Sequence, residues 1–191
     1  MSNQAATVGT EVPSSTKLSL THLKRDIFSA PAGSVLIHAC NAQGSWGSGI
    51  ALAFRNSYPS AYQVYRSHCL TRHNPRTNPV RTGTCLLIPP CETKAGIPAH
   101  WIACLFTSAK YGKAKDPPSV ILRNTKAAMK DLLRQVKTRM EAGKELGSLV
   151  MCRINSGKFA VKWGRTVDVL EGIVVEEGEA SNVEVWSLDE D

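Results

Sequence analysis

The sequence lacks several features that would assign it at once to a broad class of protein. It has no apolar run approaching the roughly 20 residues of a transmembrane helix, and residues 1–16 lack the charged-then-apolar layout of a signal peptide. Its six cysteines include no CxxC pair. These absences predict a soluble protein of the cytoplasm, or of the cytoplasm and nucleus, that has reduced thiols and neither disulfides nor a zinc site.

Charge is distributed unevenly along the chain. All 23 Lys and Arg residues but only 7 of the 16 acidic residues lie between residues 17 and 170. Such a basic segment favours an anionic partner, either a nucleotide or a nucleic acid. Aromatic residues make up only 6% of the chain, and no stacking pattern interleaves the basic residues. We therefore regard nucleic acid as an unfavoured partner and interpret the basic helix predicted over residues 117–140 as a solvated face.

The length of 191 residues and the hydrophobic content of 42% predict one compact domain. We expect a mobile arm over residues 1–16, a domain over residues 17–188 and an acidic end at residues 189–191. Strand-like and helix-like runs alternate, which predicts an α/β fold in three layers, with residues 35–40 as a central strand. Asp116 before Pro117 predicts the start of the longest helix. Its apolar stripe comprises Leu122, Met129, Leu133, Val136 and Met140.

Two loops have the pattern of a phosphate-binding site. The first runs from Asn41 to Ile50, contains three glycines and precedes a predicted helix. Glycines let backbone N–H groups approach an anion, and a helix N-terminus adds partial positive charge. The loop matches neither the P-loop nor the GxGxxG pattern, which argues against both of those chemistries. The second loop, residues 155–159, also follows a predicted strand, so both loops should meet beyond the carboxyl ends of the strands.

The segments LTHLKRDIF, IHACNAQGSWGSGIA, CLFTS and INSGKFAVKW together resemble macro domains, in family order from about residue 17 to residue 188. The resemblance is greatest to the fungal ADP-ribose 1''-phosphate phosphatases. It implies a mixed central sheet between two helical layers and a pocket for ADP-ribose or ADP-ribose 1''-phosphate. It further implies hydrolysis of the terminal phosphate, without a cofactor or a metal ion.

The same resemblance assigns roles to individual residues. Adenine should meet Asp26 and Ile27 beside Arg25, and Asn41 should hydrogen-bond the distal ribose during catalysis. Apart from the resemblance, His38 is the only histidine near the loops, which makes it a hypothetical acid or base. The other predicted substrate-binding residues lie in the two loops and beside them: Ala39, Cys40, Trp46, Gly47, Ser48, Gly49, Ile50, Ala51, Ile154, Asn155, Ser156, Gly157, Lys158, Phe159 and Ala160.

Several of these residues have a purely structural alternative. Asp26 could cap a turn, His38 could be a core histidine, and Trp46 could be a hydrophobic plug. A basic loop further along the chain is interpreted as merely solvated; it contains Lys110, Lys113 and Lys115.

Two other functions stay open within the same family. Certain relatives remove ADP-ribose from proteins with a lysine and an aspartate in the second loop, but the segment NSGKFAVKW has no aspartate. Substrate-assisted attack by water could still cleave an ester-linked ADP-ribose. Alternatively, the domain could be a non-catalytic reader of ADP-ribosylated proteins. No membrane partner is expected.

Overall fold

The computed structural model describes residues 15–188. Residues 1–14 of the predicted arm, and the acidic end at residues 189–191, lie outside the described residues. Contact with the domain already begins at Thr16, whose carbonyl oxygen accepts a 2.8 Å hydrogen bond from the N–H of Val175. Within the described part of the chain, no helix is long and apolar enough to cross a membrane.

Within residues 15–188, six strands form one central sheet: β1 (Ser19–Lys24), β2 (Val35–Asn41), β3 (Cys85–Ile88), β4 (Trp101–Ser108), β5 (Leu149–Met151) and β6 (Asn182–Ser187). Their order is β1-β6-β5-β2-β4-β3. Neighbours run parallel except at the β3 edge, where β3 pairs antiparallel with β4. The predicted mixed sheet is therefore confirmed.

Strand β2 lies at the centre of the sheet, as its apolar sequence predicts. It pairs with β5 on one side and β4 on the other. Val35, Leu36 and Ile37 are fully buried because both faces of the strand are covered. The register between β2 and β4 shifts between Cys40 and Asn41. Such irregularities re-aim the chain, and this one lies where the first predicted loop begins.

Four α-helices in the described part of the chain cover the two faces of the sheet: α1 (Gly49–Ser57), α2 (Pro59–Ser67), α3 (Pro118–Glu141) and α4 (Trp163–Glu171). Helices α1 and α2 pack against each other and against β2 and β3. Helix α3 packs on β3 and β4, and α4 packs on α3 and β1. This arrangement confirms the three-layer α/β/α prediction.

Helix α3 differs from the prediction at both ends. It does not begin at Asp116, because Pro117 holds an extended conformation with ψ 155° and the helix starts at the following residue. The ring of a proline disfavours helical backbone at the residue before it, so two successive prolines delay the helix. At the other end, Met140 is 54% exposed, and the buried stripe stops at Val136.

Candidate functional site

A cavity of about 730 Å³ opens where strands β5, β2 and β4 end. Three loops line it, which follow β2, β4 and β5 in the chain. Because these strands are parallel neighbours in the sheet, their carboxyl ends lie along one edge. Crevices at this edge are the usual ligand sites of open α/β sheets, and the volume suits a small ligand.

The cavity brings together most of the predicted site residues. Asn41 lines it, as do the predicted residues from Trp46 to Ala51 and the loop residues Gly157, Lys158 and Phe159. The predicted residues that do not line the cavity are Arg25, Asp26, Ile27, His38, Ser156 and Ala160. The lining residues that lay outside the prediction are Ser45, Tyr111, Gly112, Lys113, Lys115, Cys152 and Arg153.

Asn41 shapes the first loop. Its Nδ2 donates a 2.6 Å hydrogen bond to the carbonyl oxygen of Ser45, and its Oδ1 accepts one of 2.9 Å from the N–H of Gln43. The hydroxyl of Tyr65 donates to the Asn41 carbonyl oxygen over 2.7 Å. One Nδ2 hydrogen is left over for a ligand, because a primary amide has two. That Asn41 contacts the distal ribose stays a prediction. The structure shows in addition that Asn41 positions the first loop.

The N-terminus of helix α1 forms one wall of the cavity. Ser48 is the N-cap residue but makes no side-chain hydrogen bond to the helix, and the first turn contains no acidic residue. Gly49 has φ 56°, a left-handed conformation that glycine adopts without strain. The first N–H groups of a helix have no intrahelical partner and carry partial positive charge. Since Ser48, Gly49 and Ile50 line the cavity, this wall suits a phosphate.

The side chain of Trp46, which belongs to the first loop, and that of His38 in β2 are both fully buried. The Trp46 ring stacks on Tyr65 at a centroid distance of 4.9 Å, and the His38 ring stacks on Phe54 at 4.2 Å. This packing supports the plug interpretation of Trp46 and the core interpretation of His38. The His38 ring is fully buried and does not line the cavity, so its acid–base role stays a prediction.

Among the described residues, one group could hold a metal ion. The ligand atoms of His38, Cys40 and Cys104 lie within 4.8 Å of one another, and all three residues are buried. Burial raises the pKa of Cys40, but a hydrogen bond with Cys104 and the charge of His38 outweigh it and lower that pKa to about 6. His38 packs against Phe54 in the core, whereas Cys40 also lines the cavity.

Asn155 holds the second loop in place. Its Oδ1 accepts a 3.0 Å hydrogen bond from the hydroxyl of Thr107 at the end of β4. Its Nδ2 donates a 2.9 Å hydrogen bond to the hydroxyl of Thr125 in α3. The residue has φ 65°, a left-handed conformation that asparagine tolerates better than most residues. The predicted ligand-binding side chain is therefore engaged inside the protein, where it positions Lys158 and Phe159 at the cavity.

A third loop, between β4 and α3, lies outside the predicted site yet lines the cavity. Tyr111, Lys113 and Lys115 all belong to the lining, whereas Lys110 does not. Two of its three lysines therefore lie at the cavity, Lys113 exposed and Lys115 half-buried, and the interpretation of the loop as solvated stays a prediction. Tyr111 is 52% exposed, so it lies at the mouth of the cavity.

Hydrogen bonds between its two ends close the third loop. The carboxylate of Asp116 accepts a 2.7 Å hydrogen bond from the N–H of Ala109. The N–H of Asp116 donates in turn to the hydroxyl of Ser108 over 3.0 Å. Between these ends, Gly112 has φ 65° and begins a short 3-10 turn. Asp116, predicted to start a helix, therefore holds the two ends of this loop together through hydrogen bonds.

The residues predicted for adenine lie away from the cavity lining. The carboxylate of Asp26 accepts a 3.0 Å hydrogen bond from the N–H of Phe28 and caps the short 3-10 turn Ile27–Ser29. Ile27 is buried in the core, and the guanidinium of Arg25 lies 5.3 Å above the ring of Trp186. The contacts of Asp26 are thus those of a residue that caps a turn. A contact of these three residues with adenine stays a prediction.

The cavity is strongly cationic. Four lining residues carry positive charge, namely Lys113, Lys115, Arg153 and Lys158. Of the described residues that line the cavity, none carries a carboxylate. A diphosphate linkage carries about two negative charges, and a terminal phosphate adds about 1.5 to 2 at neutral pH. The cavity therefore suits a ligand with several phosphate groups and supplies no carboxylate as a general base.

Comparison with known proteins identifies relatives that align along most of the chain. A model of the Macro domain family matches residues 37–170. The ADP-ribose 1''-phosphate phosphatase of Chaetomium globosum is 47% identical over 168 residues, covering 85% of this chain and 88% of that protein. The enzyme of the same name from Aspergillus oryzae is 42% identical over 200 residues, covering 92% of this chain and 97% of that protein.

Solved structures support the same fold at much lower identity. The macrodomain of Mycobacterium tuberculosis DarG has a TM-score of 0.62 at 18% identity, covering 88% of this chain and 97% of that chain. Thermosipho africanus DarTG in complex with ADP-ribose has a TM-score of 0.62 at 16% identity, covering 88% of this chain and 41% of that chain. These similarities concern the fold.

Proposed function

The chain belongs to the macro domain family, and from this premise we propose that it is an ADP-ribose 1''-phosphate phosphatase. The reaction gives ADP-ribose and inorganic phosphate. The observation that carries the proposal is a cavity with four cationic residues at the carboxyl ends of three strands. Their charge matches the roughly four negative charges of a diphosphate and a terminal phosphate. Relatives with this name that align along most of the chain support it.

In the proposed complex, the diphosphate lies between the first and second loops. The N-terminal amides of α1 donate hydrogen bonds from one side, and Lys158 contributes positive charge from the other. Asn41 holds the first loop and directs its second Nδ2 hydrogen at the distal ribose. Phe159, which packs against Ile121, Leu122 and Val161, supplies an apolar surface for the same ribose.

Hydrolysis joins the oxygen of a water molecule to the terminal phosphorus and breaks the bond from phosphorus to the oxygen on C1'' of the ribose. One proton of the water passes to the departing oxygen, directly or through solvent. The transition state of such a transfer is loose, and its negative charge spreads over the peripheral phosphate oxygens. Fixed cations and N–H donors around these oxygens therefore contribute most of the catalysis. A cavity without a carboxylate base is compatible with this chemistry.

The cavity composition disfavours the protein de-ADP-ribosylation that relies on a lysine and an aspartate. Neither the second loop nor the other described residues of the lining contain an aspartate. ADP-ribosylated proteins therefore remain a secondary ligand class, which the domain could bind through the same cavity.

The proposal is tested by phosphate release from ADP-ribose 1''-phosphate by the purified protein, with EDTA present. We compare Asn41→Ala with Asn56→Ala, because Asn56 is exposed on α1 and does not line the cavity. Asn41→Ala should lower kcat/KM about 100-fold by displacing the first loop, and Asn56→Ala should leave it within about twofold. Tight ADP-ribose binding without any phosphate release by the unaltered protein would replace the phosphatase with a reader module.

A further inference from the structure

We propose that Lys113 and Lys115 of the β4–α3 loop bind the terminal phosphate and select ADP-ribose 1''-phosphate over ADP-ribose. This selectivity rests on the proposed function, since it names the part of the ligand that the third loop recognises. The two lysines would be specificity-determining residues. They lie outside both phosphate loops that the sequence pattern identifies.

The order of the strands sets the order in which the ligand meets the three loops. The cavity strands follow one another as β5, β2 and β4, and β1 lies beyond β6 on the β5 side. The Asp26 turn, where adenine is expected, follows β1. A ligand that extends from this side, with its diphosphate between the loops after β5 and β2, directs its other end at the loop after β4. This end of ADP-ribose 1''-phosphate is the terminal phosphate.

The positively charged side chains of the cavity are divided between the same loops. Lys158 and Arg153 belong to the loop after β5, where the diphosphate is expected, and Lys113 and Lys115 belong to the loop after β4. A terminal phosphate adds about 1.5 to 2 negative charges to ADP-ribose, which two lysines can balance. Among the described residues neither lysine forms an ion pair within 4.0 Å. Both ammonium groups are therefore available to an anion.

Hydrogen bonds at the ends of the third loop and within it restrain the loop without a ligand. The hydrogen bonds of Asp116 with Ala109 and Ser108 join the two ends of the loop. Within the loop, the N–H of Lys115 donates a hydrogen bond to the carbonyl oxygen of Gly112, which closes the short 3-10 turn. The Asp116 carboxylate accepts its hydrogen bond from Ala109 and does not line the cavity, so it does not neutralise the positive charge of the lining lysines. A preformed loop pays less ordering entropy on binding, which favours recognition of a small group such as phosphate.

Lys110 provides a matched control in the same loop. It is exposed and does not line the cavity, so Lys110→Ala removes the same charge without removing a proposed contact. The variants are Lys113→Ala, Lys115→Ala and their combination. For each we measure kcat and KM with ADP-ribose 1''-phosphate, and the Kd of ADP-ribose and of ADP-ribose 1''-phosphate by calorimetry at low temperature.

The double variant should lower kcat/KM for ADP-ribose 1''-phosphate at least about 100-fold, since each charged hydrogen bond is worth about a tenfold change or more. Its Kd for ADP-ribose should stay within about threefold, and Lys110→Ala should change neither quantity. A parallel loss of ADP-ribose affinity would overturn the proposal by placing the lysines at the diphosphate. Unchanged kcat/KM in the double variant would overturn it as well.

Failure of the proposed function is distinguishable from failure of this selectivity. If the unaltered protein releases no phosphate, the two Kd values still test whether the β4–α3 loop binds the terminal phosphate. A preference for ADP-ribose 1''-phosphate that disappears in the double variant would then support terminal-phosphate recognition in a binding module. Equal Kd values for the two ligands in the unaltered protein would overturn it.

Discussion

The side-chain amide of Asn155 donates a 2.9 Å hydrogen bond to the hydroxyl of Thr125, which fastens the second cavity loop to helix α3. The same amide accepts a 3.0 Å hydrogen bond from Thr107 at the end of β4. All three residues are buried. A buried network of this kind is stable only when every member has a partner, so the loop, the strand and the helix keep fixed relative positions.

Replacement of Asn155 by alanine should lower the free energy of unfolding by about 3 kcal/mol. The hydroxyl of Thr107 would lose its acceptor in the core, and alanine tolerates φ 65° less well than asparagine. Urea denaturation measures the change. The exposed neighbour Ser156, whose hydroxyl donates a 2.6 Å hydrogen bond to the carbonyl oxygen of Arg153, provides the control, and Ser156→Ala should lower stability by no more than about 1 kcal/mol. A loss below about 1 kcal/mol for Asn155→Ala would show that the network does not fix the loop.

Replacement of His38 by phenylalanine should leave phosphate release within about threefold of the unaltered protein. Phenylalanine keeps a ring in the stack with Phe54 but cannot transfer a proton. Loss of a general acid or base typically lowers the rate about 100-fold to 10,000-fold. Turnover is measured together with thermal stability and ADP-ribose affinity. A 100-fold fall in kcat with the other two quantities unchanged would restore the acid–base role of His38.

The folded protein should lose stability as the pH rises above about 9. Burial raises the pKa of Cys69 and of Cys152 to about 12, and it raises the pKa values of Cys85 and Cys104 well above the usual range. Thiols of the unfolded chain ionise near 8.5. Above that pH the unfolded state therefore binds fewer protons than the folded state, and each such thiol lowers stability by up to about 1.4 kcal/mol per pH unit.

Urea unfolding in reducing buffer at about pH 8 and about pH 10 measures this slope. Cys152→Ala should reduce the pH dependence of the free energy of unfolding by the equivalent of about one proton. Cys91→Ala, at a half-buried position, should reduce it less. Cys40 acts with the opposite sign, because its folded pKa of about 6 lies below the unfolded value. Its contribution grows between about pH 6 and pH 9 and is then constant, so a slope of zero above pH 9 would contradict the raised thiol pKa values.

The elements around the first two loops could be predicted because each carries a local signal. A continuously apolar run identifies β2, and glycines before a helical pattern identify the first loop. The third loop has no comparable signal, since Lys113 and Lys115 resemble any solvated basic segment. Their place at the cavity follows from the pairing of β4 with β2, which depends on contacts between residues far apart in the sequence.

Side-chain roles were harder to predict than positions for a different reason. The residue type of Asn41 or Asn155 gives its hydrogen-bonding capacity, but packing decides whether its partner is a ligand or the protein. Asn155 is engaged by Thr107 and Thr125, and Asn41 by its own loop. His38 likewise could be a core or a catalytic residue by sequence, and its stack with Phe54 supports the core role.

The clasp between Ser108 and Asp116 has an evolutionary consequence. Because it joins the ends of the β4–α3 loop, the residues between them can change with little effect on strand β4 or helix α3. Loops on a rigid scaffold tolerate substitution and insertion better than the elements they connect. Descendants of this chain could thus acquire a new ligand preference through mutations in residues 109–115 alone, while the sheet and the diphosphate loops continue to fold as before.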